Sequence, residues 1–294
     1  MEIFTKIKQT FAKSSIPVKT IYINVGVFIV LRLIMIVCTL FQVGGVNFVE
    51  YLQMPSSYSL LMYRPWTLVT YMFVHLDLWH ILINMLWLYW FGRIFLLFFN
   101  ERQFGGLYIT GGMVGAVFFL LAYNIFPYFR NVANSDFLMG ASASVMAIVF
   151  AVSFYRKNHE INLLFIGRVK LIYLALFALV IDLLSIVSDN AGGHFAHIGG
   201  ALFGILFATQ LQRGKDLTVV VNRLIDKLVN WRKRSRVRMK VTYRKSETDA
   251  EYNMRKRTES ESLDDILDKI KQFGYQSLSS EEKRKLFDAS NKSV

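Results

Sequence analysis

Long apolar runs constrain the fold of this chain more than any other feature of its sequence. Hydrophobic residues make up 54% of the 294 residues, and most of them stand in blocks rather than scattered among polar residues. A helix that crosses the hydrocarbon core of a bilayer needs about 20 mostly apolar residues. The sequence therefore predicts an all-α membrane protein with six spanning helices, at roughly 21–42, 79–99, 105–127, 138–155, 171–188 and 194–212.

Lysine and arginine residues predict how this core, residues 21–212, is oriented. Six spans put both termini on one side, together with the basic N-terminus at 1–20 and the basic loop around 156–170. The loops on the other side contain only Arg64 and Arg130. Because basic loops stay on the cytoplasmic side of a membrane, we expect both termini in the cytoplasm.

The composition changes after the core, where residues 213–294 carry 21 of the 34 basic residues. Residues 213–261 are interpreted as an amphipathic helix, a basic run and a charged linker (244–262), a combination that suits anionic lipid. Nucleic-acid binding is the other reading of a basic run, and we do not expect it so close to lipid headgroups. Residues 262–294 predict a small helical hairpin that could bind a partner or fold back.

Polar residues inside the apolar runs are the candidate functional residues, because such groups are costly in a membrane. Ser142 begins the fourth run and His197 begins the sixth. His80 and Asn84 are four residues apart and share one face of the second helix. All four enter their helices from the outer side at comparable depth, which predicts that they converge below the outer surface.

These residue types suit acyl transfer. A serine hydroxyl needs a base to take its proton, and the imidazole of His197 can do so near neutral pH. The oxyanion that forms needs donors in place, and a histidine N–H, an asparagine amide and the Ser142 backbone N–H could supply them. We expect Asp77 and Asp182 to be too distant in helix register, so the sequence predicts a Ser–His dyad without an acid.

Each of these residues also has a purely structural interpretation. Ser142 and Ser144 stand in a Gly-Ala-Ser-Ala-Ser segment, a composition typical of tight helix contacts in membranes. His194 and His197 could be hydrogen-bond partners between helices. Gly200 most simply permits close helix contact, which would also bring the helix of His197 towards that of Ser142. The joint occurrence, rather than any single residue, favours the functional interpretation.

In order and spacing these residues resemble the rhomboid family of intramembrane serine proteases, over about residues 60–212. The resemblance lies in four segments, namely Arg64–His75, His75-x4-His80-x3-Asn84, Gly140-Ala141-Ser142-Ala143 and Ala196-His197-x2-Gly200. The chain departs from the family where Ala143 follows the serine in place of a common glycine. It departs again at Arg93, where an acidic residue often stands.

The resemblance implies a role for each matching residue. Ser142 would be the nucleophile and His197 the general base. His80 and Asn84 would form the oxyanion hole with the Ser142 N–H. Supporting roles would fall to His75, Gly140 and Gly200.

The function that the resemblance implies is an intramembrane serine endopeptidase without metal or cofactor. Its substrates would be single-span membrane proteins that enter laterally and unwind locally, since a regular helix hides its carbonyls in hydrogen bonds. The alternatives are a non-proteolytic protein that binds client helices and, since no inverted repeat is visible, less favourably a transporter. The resemblance of the tail predicts a bacterial plasma membrane. Cys38 is interpreted as a packing residue, since a lone cysteine forms no internal disulfide.

Overall fold

The computed structural model describes residues 2–42, 48–129, 131, 135–163, 167–188, 190–233 and 248–291. The described chain is mostly helical and divides into two compact units, residues 1–234 and 235–294. The membrane helices all belong to the first unit. The second unit belongs to the polar tail.

The first unit contains ten α-helices and two short β-ladders among its described residues. The helices are α1 (Glu2–Lys13), α2 (Ile16–Leu40), α3 (Tyr58–Tyr63), α4 (Thr67–Thr70), α5 (Leu78–Phe95), α6 (Glu101–Ile125), α7 (Ser142–Tyr155), α8 (Leu171–Leu184), α9 (Ala191–Gln212) and α10 (Val219–Lys233). Two antiparallel ladders pair β1 (Met54–Pro55) with β2 (Phe137–Leu138), and β3 (Glu160–Leu163) with β4 (Gly167–Lys170).

Among the described helices, α2, α6 and α9 are each long and apolar enough to cross a membrane alone. A fourth candidate span is α5 together with Thr67–Phe73, from which α5 is bent by 95°. The helices α7 and α8 are apolar but have only 14 residues each. At 1.5 Å per residue they are about 21 Å long, shorter than a typical hydrocarbon core. The six apolar helices are thus present, while the count of six complete spans stays a prediction.

The helix α7 lies at the centre of the core. Every residue from Ala143 to Ser153 is buried, and the helix contacts α5, α6, α8 and α9. Small residues permit this packing: a Cβ atom added to Gly111 of α6 would lie 2.3 Å from the Cβ atom of Ala147. A Cβ atom added to Gly204 of α9 would lie 2.3 Å from the Ala147 carbonyl oxygen. Two neighbouring helices therefore pack directly against α7 at one level.

The segment that follows α2 is fastened to the core by backbone and side-chain hydrogen bonds. The β1–β2 ladder joins it to the residues just before α7. The Ser56 amide also donates to the Asp136 carbonyl at 3.1 Å, and the Thr70 hydroxyl donates to the Leu52 carbonyl at 2.7 Å. The loop before α5 and the turn before Ser142 therefore form one connected structure.

The helix α10 packs against the start of α6 through polar contacts. Asp226 forms an ion pair with Arg102, and Gln103 donates to Asp216 at 3.1 Å. A Cβ atom added to Gly106 would lie 2.6 Å from the Thr218 side chain. The first part of the segment that we predicted as a separate amphipathic region therefore belongs to the core unit. The basic run that follows lies largely outside the described residues from 234 onward.

The second unit is a helical hairpin of α11 (Asp249–Phe273) and α12 (Ser280–Asn291). The charged linker predicted at 244–262 is wrong from residue 249 onward, because a capping box between Thr248 and Glu251 starts α11 there. The chain turns at Gly274, whose φ is +77°. Hydrogen bonds from the Lys269 side chain and from Ser279 lower the pKa of Glu282 to about 2.

Candidate active site

Ser142 stands at the first residue of α7, just after a tight turn. In this turn the Gly140 amide donates to the Tyr71 carbonyl at 2.9 Å, and the Ala141 amide donates to His75 Nε2 at 3.2 Å. Gly140 has a φ of +111°, and a Cβ atom there would lie 2.7 Å from the His80 ring. Only glycine fits both the backbone angle and the space at position 140. The His80 ring can therefore lie against the backbone just before Ser142.

The two histidines that contact this turn come from the start of α5 and from the segment just before it: His80 lies in the first turn of α5, and His75 precedes the helix. Asp77 caps the helix by accepting from the His80 amide at 2.8 Å, which fixes the first turn. The buried His75 ring meets the His80 ring edge to face, with centroids 5.1 Å apart. Asn84 donates one amide hydrogen to the His80 carbonyl at 2.9 Å, which leaves its second N–H for another acceptor.

Close contact between α7 and α9 sets the level of His197 relative to Ser142. A Cβ atom added to Gly200 would lie only 2.1 Å from the Ala143 carbonyl oxygen. One turn earlier on α9, the Ala196 carbonyl lies 2.8 Å from the Cβ position of Gly115 on α6. The His80 ring of α5 lies against the turn before Ser142, at the Cβ position of Gly140. Three helices thus bring Ser142, His80 and His197 to one region.

The structure corrects our prediction that Asp182 is too distant to meet a histidine. Asp182 Oδ1 lies 2.8 Å from His197 Nδ1 and 2.7 Å from His194 Nδ1. The error came from the length of α8, which we expected to reach 188 and which ends at Leu184. Asp182 is therefore in the last turn of α8, opposite the first turns of the antiparallel α9. A polar residue just before a short loop was the signal that could have found it.

The hydroxyl of Ser142 makes no hydrogen bond to another described residue. The described partner of His197 is Asp182, through Nδ1. Because an ionised carboxylate only accepts, a neutral imidazole paired with it through Nδ1 carries its proton there and has a free lone pair on Nε2. Catalytic hydrogen bonds are often long before substrate binds. The missing hydrogen bond between Ser142 and His197 is therefore compatible with His197 acting as the base once substrate is bound.

A cavity of about 200 Å³ lies beside His80. It is lined by His80, Phe119, Asp136, Phe137, Leu138, Met139, Asn190, Gly192 and Gly193. The Asp136 side chain accepts from Tyr123 and from the Phe137 amide, so this carboxylate is already engaged. The cavity therefore combines an apolar wall with the imidazole of His80.

Among the described residues, Asp182, His194 and His197 are the one group that could hold a metal ion. Their ligand atoms lie within 4.8 Å of one another. The distances of 2.7 and 2.8 Å from Asp182 to the two imidazoles are those of hydrogen bonds. Protons joining the three side chains account for this geometry without an ion.

The fold and the site together define a multi-pass helical membrane protein with a serine and a histidine on adjoining helices. Residues 63–213 match the family model described as the rhomboid domain, which is about half of the chain and contains α5 to α9. The chain belongs to the rhomboid family. Residues 246–292 match a second model, described as a family of unknown function (DUF6576), which covers both helices of the tail unit.

Two curated proteins illustrate the similarity. RHOMBOID-like protein 12, mitochondrial, from Arabidopsis thaliana is 28% identical over 158 residues, which are 51% of this chain and 47% of the relative. Presenilin-associated rhomboid-like protein, mitochondrial, from Homo sapiens is 29% identical over 150 residues, which are 47% of this chain and 35% of the relative. This chain thus spans less than half the length of the curated relatives it matches. Both names are mitochondrial, so they give no support to the predicted bacterial membrane.

Proposed function

We propose that this protein is an intramembrane serine endopeptidase that cleaves transmembrane segments of membrane proteins through Ser142 and His197. The observation that carries the proposal is the packing of α5, α7 and α9, which brings Ser142, His80 and His197 to one region, with His80 lining a small cavity. Polar groups of this kind are expensive in apolar helices and mark a functional site.

The proposed reaction is acyl transfer in two halves. Ser142 Oγ attacks the scissile carbonyl carbon while His197 Nε2 takes the hydroxyl proton. His197 then gives this proton to the departing amine, the C–N bond breaks, and an ester links the new carboxyl end to Ser142. Water attacks the ester carbonyl carbon while His197 takes its proton. His197 then returns this proton to Ser142 Oγ as the ester C–O bond breaks, and the carboxyl product leaves.

The oxyanion of each tetrahedral intermediate needs donors that are already in place. The Ser142 backbone N–H is one, because the first N–H groups of a helix have no partner within the helix. His80 Nε2–H and the second amide hydrogen of Asn84 are the others that we propose. Gly140 allows His80 to stay within reach, since a side chain there would collide with its ring.

The proposed substrates are single-span membrane proteins. Their helix must unwind near the cleaved bond, because carbonyls in a regular helix are engaged in hydrogen bonds. By resemblance to the family, we propose a small residue before the cleaved bond. We also propose cytoplasmic termini, anionic lipid at the basic tail and a bacterial plasma membrane, from charge distribution and the resemblance of the tail.

Labelling with a fluorophosphonate tests the proposal directly, since this probe reacts with activated serines. The full chain in mild detergent is compared with Ser142→Ala, His197→Ala and Ser144→Ala. Ser144 is a matched control, because it lies two residues from Ser142 and its buried hydroxyl has no hydrogen-bond partner in the described part of the chain. We expect labelling of the wild type and Ser144→Ala alone, and cleavage of a model transmembrane substrate by the same two proteins.

A Ser142→Ala protein that still cleaves the substrate would contradict the mechanism. A folded wild type that neither reacts with the probe nor cleaves would instead favour the alternative of a non-proteolytic protein that binds client helices. Binding of the substrate helix would then survive in Ser142→Ala.

A further inference from the structure

The carboxylate of Asp182 has a place in the structure that a Ser–His dyad does not use. It lies in the last turn of an otherwise apolar helix, and its side chain is only 8% exposed. A buried carboxylate without partners is costly. Here one oxygen, Oδ1, serves both His197 Nδ1 at 2.8 Å and His194 Nδ1 at 2.7 Å.

We infer that Asp182 is a positioning residue for His197, which completes a Ser142–His197–Asp182 triad. The inference rests on the proposed function and deepens it, since it assigns the residue that prepares the base. It replaces the dyad expected from the sequence by three residues from three helices, α7, α9 and α8.

The first part of the argument is the tautomer of His197. Neutral imidazole carries its proton on one of two nitrogens, and only the other nitrogen can act as a base. The hydrogen bond to Asp182 keeps the proton on Nδ1, so Nε2 is the nitrogen that can accept from Ser142. Without this acceptor, the proton is free to occupy Nε2, and that form cannot take the serine proton.

The second part is the orientation of the ring. A hydrogen bond at Nδ1 restricts rotation of the imidazole about its bond to the Cβ atom, so that Nε2 stays at one position. The same oxygen also contacts His194, one turn earlier on α9, in addition to its bond with His197. The contact of Gly200 with Ala143 fixes α9 against α7 at the same level. The His197 ring is thus held at Nδ1 by Asp182, while the packing of α9 on α7 fixes its backbone.

The third part is the position of this cluster in the fold. A hydrogen bond whose only role was to join α8 and α9 could lie at any depth along these helices. The contact between Asp182 and His197 lies one turn before Gly200, where α9 touches the residue next to Ser142. It therefore adjoins the proposed nucleophile.

Asp182→Asn in the full chain tests the inference, with cleavage of a model transmembrane substrate as the readout. Asparagine keeps the shape but can present an N–H to His197, which favours the wrong tautomer. By analogy with other serine proteases we expect kcat to fall by about 10²- to 10⁴-fold. KM should not change, since the interaction acts on the reacting base and not on substrate binding.

His194→Ala is the matched control, because it removes the second hydrogen bond to the same oxygen and leaves that of His197. We expect its kcat to stay within a factor of about 3 of the wild type. If the Asp182 cluster only joins α8 to α9, His194→Ala and Asp182→Asn will both lose activity and thermal stability. This result would overturn the inference. A change of wild-type kcat on addition of EDTA would overturn it too, since a metal would then join the three side chains.

Nitrogen-15 NMR of labelled histidines in the wild type gives a readout that does not depend on how any variant folds. We expect His197 protonated at Nδ1 and unprotonated at Nε2, and the opposite tautomer would overturn the inference. Full activity of Asp182→Asn beside inactive Ser142→Ala and His197→Ala would overturn the triad and leave the proposed function intact. An active Ser142→Ala would overturn both.

Discussion

The helices α2 and α7 are both strongly apolar, yet they have opposite surroundings. Only 11% of the apolar window of α2 is buried, although its mean hydropathy of 2.5 is higher than those of α6 and α9. In α7 every residue from Ala143 to Ser153 is buried. Because lipid tails are as apolar as leucine, hydrophobicity does not decide which membrane helix lies at the centre. Close packing distinguishes the two helices: α7 itself carries Ala and Ser and is faced by glycines of α6 and α9, while α2 presents large side chains outward.

Gly200→Ala should have the largest effect on this contrast. The added methyl group would lie 2.1 Å from a backbone oxygen of α7, so α9 has to move away from Ser142. We expect a loss of more than about 3 kcal/mol of stability and loss of activity, beyond the usual cost of overpacking. Unfolding of the full chain in mixed detergent micelles measures the first and substrate cleavage the second.

Gly26→Ala in α2 is its control, because no atom lies within 4 Å of the added methyl group. Here the higher helix propensity of alanine should stabilise the protein by up to about 1 kcal/mol. If Gly200→Ala and Gly26→Ala changed stability equally, close packing would not be what distinguishes α7 from α2.

Ile148→Ala, compared with Ile36→Ala, should have an intermediate effect. The two isoleucines are 0% and 52% exposed in α7 and α2. We expect about 1–3 kcal/mol for Ile148, less than in a soluble protein, because a cavity forms while the transfer from water largely cancels in a bilayer. Ile36→Ala should stay within about 0.5 kcal/mol in the same unfolding assay. A larger loss at Ile36 would show that α2 is packed against something else.

Ser144→Ala should have the smallest effect and the opposite sign. Its buried hydroxyl has no hydrogen-bond partner among the described residues, so its removal should stabilise α7 by up to about 1 kcal/mol. Ser153→Ala is the comparison, since that hydroxyl donates to the Leu171 carbonyl at 3.3 Å and its loss should destabilise. Destabilisation by Ser144→Ala in a thermal unfolding experiment would contradict the unpartnered hydroxyl.

The sequence allowed the apolar helices to be located, because hydrophobic run length is a local property. The approach of α9 to α7 could be expected from Gly200, and the contact is present in the structure. The partner of His197 was missed, because it depends on α8 ending at Leu184, and a continuous apolar run does not show where a helix stops. The docking of α10 was missed for another reason: Asp226 and Arg102 are distant in the chain and meet only in the folded core.

The order of the helices along the chain has a consequence for biosynthesis. The proposed nucleophile is made with α7, but its base comes with α9, the last helix of the membrane core. During synthesis, Ser142 therefore enters the bilayer without His197, Asp182 or the contact at Gly200. On the proposed chemistry, a growing chain cannot hydrolyse neighbouring proteins in the membrane, and reactivity begins only when the core is complete.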